Sequence, residues 1–222
     1  MSGEIYVPEA VFFDQDGVLI DSEGAWDEAR RAVVAENGGR WKDDATSAMM
    51  GMSSPEWSRY LRDELGVGLD PQEISDAVVA RLLAGYEQEL PLLPGAVEAV
   101  RRIAARWPVG LASSANREVI DAVMAASGLA DTFGVTVSAE EVAHGKPAPD
   151  IYLEAARRLG AEPARSAAVE DSSNGLRSAA AAGMLVVALP NREFPPEPDA
   201  LALAAVVLGS LKELSPELFA GG

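Results

Sequence analysis

Six short stretches of the chain read as buried strands, apolar and often β-branched: 10–13, 108–112, 134–137, 167–169, 185–189 and 205–208. Between them, apolar residues recur at helical spacing. Val97, Val100 and Ala104 fall at i, i+3 and i+7, with Ile103 beside them. Val119, Ile120, Val123 and Met124 form a second stripe, and Ile151, Ala155, Ala156 and Leu159 a third. Strands alternating with helices of this length predict the α/β class, with a doubly wound parallel sheet.

One stretch breaks the alternation. From about Ser22 to Leu90 no segment reads as a strand. Trp26, Ala29, Val33 and Val34 make a helical stripe that stops at Gly38-Gly39. Trp57, Tyr60, Leu61 and Leu65 make another, ending at Gly66. Ile74, Ala77, Val78 and Leu82 make a third after Asp70-Pro71, an N-cap and first-turn pair. Pro91 and Pro94-Gly95 mark the return to the α/β pattern. An insertion just after the first strand emerges at the carboxyl edge of the sheet, where open α/β folds bind ligands. The expected organisation is therefore an α/β core from 1–21 and 91–222, with 22–90 forming a small all-helical cap over the site.

At 222 residues the chain can bury its core without covalent staples. It carries 18 Lys and Arg against 35 Asp and Glu, a formal charge of −17, which argues against nucleic acid as a partner. The absence of Cys excludes disulfides, thiolate catalysis and Cys-ligated zinc. A single His excludes a His-rich metal site and leaves any Ser-His-Asp triad dependent on His144. The first residues lack a basic region followed by an apolar one, and the apolar run at 201–208 is too short to span a bilayer. The expectation is a cytoplasmic protein that does not enter membranes.

Four motifs carry candidate chemistry. The first strand ends in Asp14-Gln15-Asp16-Gly17, two carboxylates two residues apart in extended chain, so both point the same way. The register of oxygen ligands and glycine does not fit an EF-hand calcium loop. After the second strand, Ser113, Ser114 and Asn116 precede a helix, where a hydroxyl and neighbouring amides can hold an anion or merely cap the helix. Lys146 lies in a loop stiffened by Pro147 and Pro149, while His144 before it reads as solvent-exposed or capping. Glu170 and Asp171 close the fourth strand as an adjacent acidic pair. All four motifs end predicted strands or lie in the loops just beyond them.

In this order the chain resembles the haloacid dehalogenase superfamily, in the branch with a helical cap after the first strand. The resemblance is carried by Phe13-Asp14-Gln15-Asp16-Gly17-Val18-Leu19-Ile20-Asp21-Ser22-Glu23, Ala112-Ser113-Ser114-Ala115-Asn116, Gly145-Lys146-Pro147-Ala148-Pro149-Asp150 and Val169-Glu170-Asp171-Ser172-Ser173-Asn174-Gly175-Leu176. It covers nearly the whole chain, from Ala10 to Leu214. It implies that Asp14 is a nucleophile and Asp16 a general acid and base, with Lys146 and Ser113 completing the catalytic set. It further implies Mg²⁺ held by the Asp14 carboxylate, the Asp16 backbone carbonyl and Asp171, with Glu170 as a direct or water-mediated helper. The physics agrees: a carboxylate attacking a phosphoryl group needs cationic charge nearby.

A halide leaving group needs no acid, and dehalogenases of the superfamily typically lack the second Asp. The presence of Asp16 therefore favours phosphate chemistry. The substrate-binding candidates are Ser114, Asn116, Trp26, Met52 and Ser54. Trp26 and Trp57 sit on apolar stripes and read first as packing, whereas the turn 51–57 offers Met52 and Ser54 as recognition residues. The expected activity is a Mg²⁺-dependent phosphatase acting on a small phosphorylated metabolite, a sugar or polyol phosphate, as a monomer or homodimer. A phosphosugar mutase like the β-phosphoglucomutases is the alternative. It is disfavoured because the slots where those enzymes place a cap His and a cap Arg hold Trp26 and Ser54. A binding module without catalysis is the third reading, and it gives no reason to keep Asp14, Asp16, Lys146 and Asp171 together.

Overall fold

Strand β1 (Ala10–Phe13) is apolar and buried on both sides. Val11 and Phe13 enter one apolar cluster, Ala10 and Phe12 the other. A strand with two apolar faces belongs in the middle of a sheet covered on both sides. In the computed structural model, which describes residues 7–49, 52–192 and 194–219, it lies there. Strands β2 (Val109–Ser113) and β4 (Ser166–Glu170) flank it, with Phe13 opposite both Leu111 and Val169. Strand β3 (Val135–Ser138) lies outside β2, and β5 (Leu185–Ala188) and β6 (Val206–Val207) lie beyond β4. The order is β3-β2-β1-β4-β5-β6 and every pairing is parallel. The chain reverses its direction of winding at β1, so a crevice opens where β1 and its two neighbours end.

The predicted strands differ from these by one residue at their ends, and β2 and β3 each begin and end one residue later than predicted. Strand β4 runs on to Glu170, and β6 contracts to two residues. Pro108 falls just before β2, where it still accepts a hydrogen bond from the Val11 amide at 3.0 Å.

Four helices follow β1: α1 (Glu23–Glu36), α2 (Ala45–Met49), α3 (Ser54–Asp63) and α4 (Pro71–Gln88). Among the described residues between 22 and 90 there is no strand. Helix α4 begins as its sequence suggests. The Asp70 carboxylate accepts from the Gln72 and Glu73 amides at 2.9 and 3.0 Å, and the Asp70 amide donates to the Glu73 carboxylate at 3.0 Å. The apolar stripes of α1, α3 and α4 bury against one another and join the cluster on one face of the sheet. Helix α2, five residues without a stripe, was not predicted. Gly51, which opens the turn at 51–57, lies outside the described residues, as do residues 1–6.

The two chain segments at the base of the insertion run side by side. Ile20 bridges Leu92 antiparallel, the Asp21 amide donates to the Pro91 carbonyl at 2.8 Å and the Leu93 amide to the Leu19 carbonyl at 2.9 Å. Helices α5 (Ala96–Ala104) and α6 (Arg117–Ser127) cover the same face of the sheet as the insertion. Helices α7 (Asp150–Leu159), α8 (Ser173–Ala181) and α9 (Pro198–Leu201) cover the other. Among the described residues no helix is long and apolar enough to cross a membrane.

Candidate active site

Where β1 ends, the Asp14 amide donates to the Val169 carbonyl at 3.0 Å, which keeps the chain paired with β4 one residue beyond the strand. The Asp14 carboxylate therefore emerges beside Glu170 and Asp171, the residues that close β4. Lys146 arrives from the loop before α7. Its ammonium donates to Asp14 Oδ1 at 2.8 Å, Glu170 Oε1 at 2.6 Å and the Ala112 carbonyl at 3.0 Å. Its three donors are thus all used, and the side chain is buried. Tyr152, on α7, donates its hydroxyl to Glu170 Oε1 at 2.6 Å.

Two glycines leave the space these groups need. A Cβ on Gly17, whose φ is +74°, would lie 1.9 Å from Asp171 Oδ2. A Cβ on Gly175 would lie 1.9 Å from Glu170 Oε2. Either contact is far inside van der Waals distance, so a larger residue would displace a carboxylate.

Asp14, Glu170 and Asp171 can each offer a carboxylate oxygen within 4.8 Å of the others, and all three are buried. Burial raises the Asp14 carboxyl to about 8. Lys146 opposes that shift, while Glu170 and Asp16 add to it. Burial, and then Asp14 and Glu170, hold Asp171 well above the ordinary carboxylate range. Burial pulls the Lys146 ammonium down, but Asp14 and Glu170 outweigh it and keep it charged. Burial, and then Glu170, push the Tyr152 phenol up, so it stays a donor. One ammonium does not neutralise three buried carboxylates. A hard divalent cation fits this donor set, since it would relieve both the desolvation and the mutual repulsion.

Asp16 stands apart from the cluster and is half-buried. Its Oδ1 accepts from the Ser22 hydroxyl and from the Trp26 indole Nε1 at 3.0 Å. Trp26 was expected first as packing. It does pack, its ring 6.0 Å from that of Trp57, but its N–H also reaches the motif carboxylate.

A cleft lies between the sheet edge and the inserted helices. Asp14, Asp171, Lys146 and Ser114 line it from the sheet, Trp26, Arg30 and Trp57 from the inserted helices, and Met52 from the turn before α3. Ser113 is fully buried, and its Oγ accepts the Ala115 amide at 3.1 Å. Ser54 and Asn116 are not among the cleft-lining residues. They meet each other at the seam, with the Ser54 hydroxyl donating to Asn116 Oδ1 at 2.5 Å. The Asn116 amide nitrogen donates to Glu140 at 2.7 Å and to Ser75 at 3.3 Å. His144 sits on the surface, paired with Asp150 at 2.9 Å.

Ser22, Glu23 and Gly175 stand in the motifs without a role assigned to them, and Arg30 and Tyr152 lie outside every motif. Arg30 had a legible signal, because it interrupts the apolar stripe of α1 between Ala29 and Val33. Its guanidinium lies 4.9 Å from the centre of the Trp26 ring and 5.2 Å from that of Trp57. Burial lowers it to about 10. The half-buried Glu23 is raised by burial and then by Asp16.

Residues 8–183 match the family model of haloacid dehalogenase-like hydrolases. Hexitol phosphatase B of Escherichia coli (strain K12) is 37% identical over 212 residues, spanning 93% of this chain and 94% of that protein. Fructose-1-phosphate phosphatase YqaB of the same strain is 33% identical over 180 residues, 78% of this chain and 92% of that protein. Among solved structures, CbbY from Rhodobacter sphaeroides in complex with phosphate superposes with a TM-score of 0.83 at 29% identity, covering 94% of this chain and 96% of that one.

Proposed function

Since the chain belongs to the haloacid dehalogenase-like hydrolases, we propose that it is a Mg²⁺-dependent phosphatase for a small sugar or polyol phosphate, working through a phosphorylated Asp14. The observation that carries this reading is the pairing of Asp14 with Lys146 at 2.8 Å beside two further buried carboxylates, with Asp16 held separately at the mouth.

In this reading Asp14 attacks phosphorus, and the bond from phosphorus to the leaving oxygen breaks. Lys146 offsets the charge that repels the two anions and fixes the rotamer of the attacking carboxylate. Ser114, which lines the cleft just past the end of β2, would offer its amide to a phosphoryl oxygen. The Asp14 and Asp171 carboxylates and the Asp16 backbone carbonyl would hold Mg²⁺, with Glu170 as a direct or water-mediated helper, and the ion would screen the charge gathered on the phosphoryl oxygens. Asp16 hands its proton to the leaving oxygen. It then takes one from the water that attacks phosphorus, which breaks the bond to Asp14, releases inorganic phosphate and returns Asp14 as a carboxylate. Ser22 and Trp26 both bond Oδ1, which leaves Oδ2 to carry the proton. Residues 22–90 act as the cap that selects what enters. The acidic, cytoplasmic chain works as a monomer or homodimer without nucleic acid or membrane partners.

Incubation with p-nitrophenyl phosphate and with hexitol phosphates, in Mg²⁺ and then in EDTA, tests the reading. Phosphate release should stop on chelation, and folded Asp14→Asn should lose on the order of 10⁴-fold or more in kcat. Turnover that survives chelation would remove the metal, and turnover in Asp14→Asn would remove the nucleophile. Given β-glucose 1-phosphate and a bisphosphate primer, the protein should yield inorganic phosphate. Accumulation of glucose 6-phosphate would establish the mutase instead.

A further inference from the structure

Among the described residues Arg30 is the one strongly buried cation that the inserted helices bring to the cleft, and nothing in the phosphoryl chemistry uses it. It lies four residues after Trp26 on α1, hence on the same helix face. Its relative exposure is 7%, and its Nε is buried without a hydrogen-bond partner. Among the described residues the guanidinium makes no ion pair. What holds it are the faces of Trp26 and Trp57. An arginine desolvated this far normally has its planar fork of donors satisfied by a carboxylate or carbonyl. Here Arg30 lines the same cleft as Asp14 and Lys146, from the inserted helices rather than from the sheet. A substrate with its phosphoryl group on Asp14 would place its leaving group against Arg30.

The surroundings decide what kind of leaving group that is. The charges that act on Arg30 are carboxylates: Glu23 first, then Asp16 and Asp27. Glu23 and Asp16 line the cleft with it. A second phosphate would have to pass two carboxylates and lie against two ring faces of negative potential. A hydroxyl meets no such opposition. It accepts from the guanidinium, donates to a carboxylate, and lets its C–H bonds pack on the indoles.

We propose that Arg30, with Glu23 beside it, grips the hydroxyls of a neutral polyol leaving group and thereby selects polyol monophosphates over both bisphosphates and aryl phosphates. The assignment rests on the phosphatase reading of the same cleft.

The test compares kcat/KM for sorbitol 6-phosphate, fructose 1,6-bisphosphate and p-nitrophenyl phosphate in the wild type, Arg30→Met and Glu23→Gln. Sorbitol 6-phosphate should be preferred by the wild type. In Arg30→Met its advantage over p-nitrophenyl phosphate should fall by roughly 10- to 100-fold, mainly through KM, as expected when charged hydrogen bonds are lost. Glu23→Gln should move the same ratio in the same direction by less, and it carries the test alone if Arg30→Met does not fold. Equal losses on both substrates would reduce Arg30 to a packing residue and overturn the proposal. So would a wild-type preference for the bisphosphate that Arg30→Met abolishes. If no substrate releases phosphate, the phosphatase reading fails. Calorimetry then decides the subsite: tighter binding of sorbitol 6-phosphate than of inorganic phosphate, lost in Arg30→Met, keeps it, and equal affinities remove it.

Discussion

The two ends of the cleft hold their cations in opposite ways. At the sheet edge, Lys146 spends all three donors on Asp14, Glu170 and a main-chain carbonyl. At the helical end, Arg30 is fixed by two indole faces, and its Nε has no partner. A network closed on itself holds a nucleophile in one geometry, which phosphoryl transfer demands of every substrate alike. Donors held by stacking stay available to a ligand and can change from one substrate class to another without disturbing the chemistry. The sheet end therefore reports the reaction, and the helical end reports its object.

The strongest way to break the comparison is to open the closed end. Lys146→Met leaves Asp14 and Glu170 buried without their counter-ion. Removing one partner of a buried charge pair typically destabilises by about 3–5 kcal/mol. At roughly 2–4 °C per kcal/mol for a chain of this size, thermal denaturation should show a drop on the order of 6–20 °C, together with loss of turnover. A variant that melts with the wild type would mean that the ammonium does not support the carboxylate cluster.

The difference between the two ends also explains what the sequence disclosed. Asp14 and the Glu170-Asp171 pair stand at or just past the ends of predicted strands and Lys146 in a loop beyond one, and a parallel sheet brings strand ends together whatever the details of packing. Period and turn chemistry were enough to gather them. The helical end depends on how α1, α3 and α4 rotate against one another, and that is set by contacts between residues distant in the chain. Trp26 reads as packing from its stripe, yet its indole N–H reaches Asp16. Ser54 reads as a turn residue facing the mouth, yet the first turn of α3 points it at Asn116. Arg30 and Tyr152 lie on helix faces that periodicity marks as buried. There a charge or a hydroxyl is the only sequence signal that a partner must exist, and its identity is a tertiary fact.

A gentler probe acts on the closed end through its charge. The Asp14 carboxyl is held up to about 8 chiefly by burial, against a value near 3.8 when free. A folded pKa above the unfolded one means that the group's contribution is fullest below about 4 and is lost as pH rises toward 8. The metal-free protein should therefore lose thermal stability across that window. Mg²⁺ should restore it, and more so at pH 8 than at pH 5. At a hundredfold excess over Kd a ligand stabilises by about 2.7 kcal/mol, or roughly 5–10 °C here. A Tm indifferent to Mg²⁺ at pH 8 would mean that the three carboxylates do not bind it.

The smallest expected effect lies at the seam between the two ends. Ser54→Ala removes the 2.5 Å bond to Asn116 Oδ1, but the amide nitrogen of Asn116 keeps its bonds to Glu140 and Ser75. The remaining deficit is one buried amide oxygen with its partner gone, about 1 kcal/mol. Thermal denaturation should fall by roughly 2–4 °C. The discriminating quantity is KM for a polyol phosphate. Because the Ser54 hydroxyl faces Asn116 rather than the cleft, its removal should act on the stability of the seam alone and leave KM unchanged. A KM that rises tenfold at unchanged Tm would place the hydroxyl on the substrate. The selective surface would then extend from the indole pair on α1 and α3 to the first turn of α3.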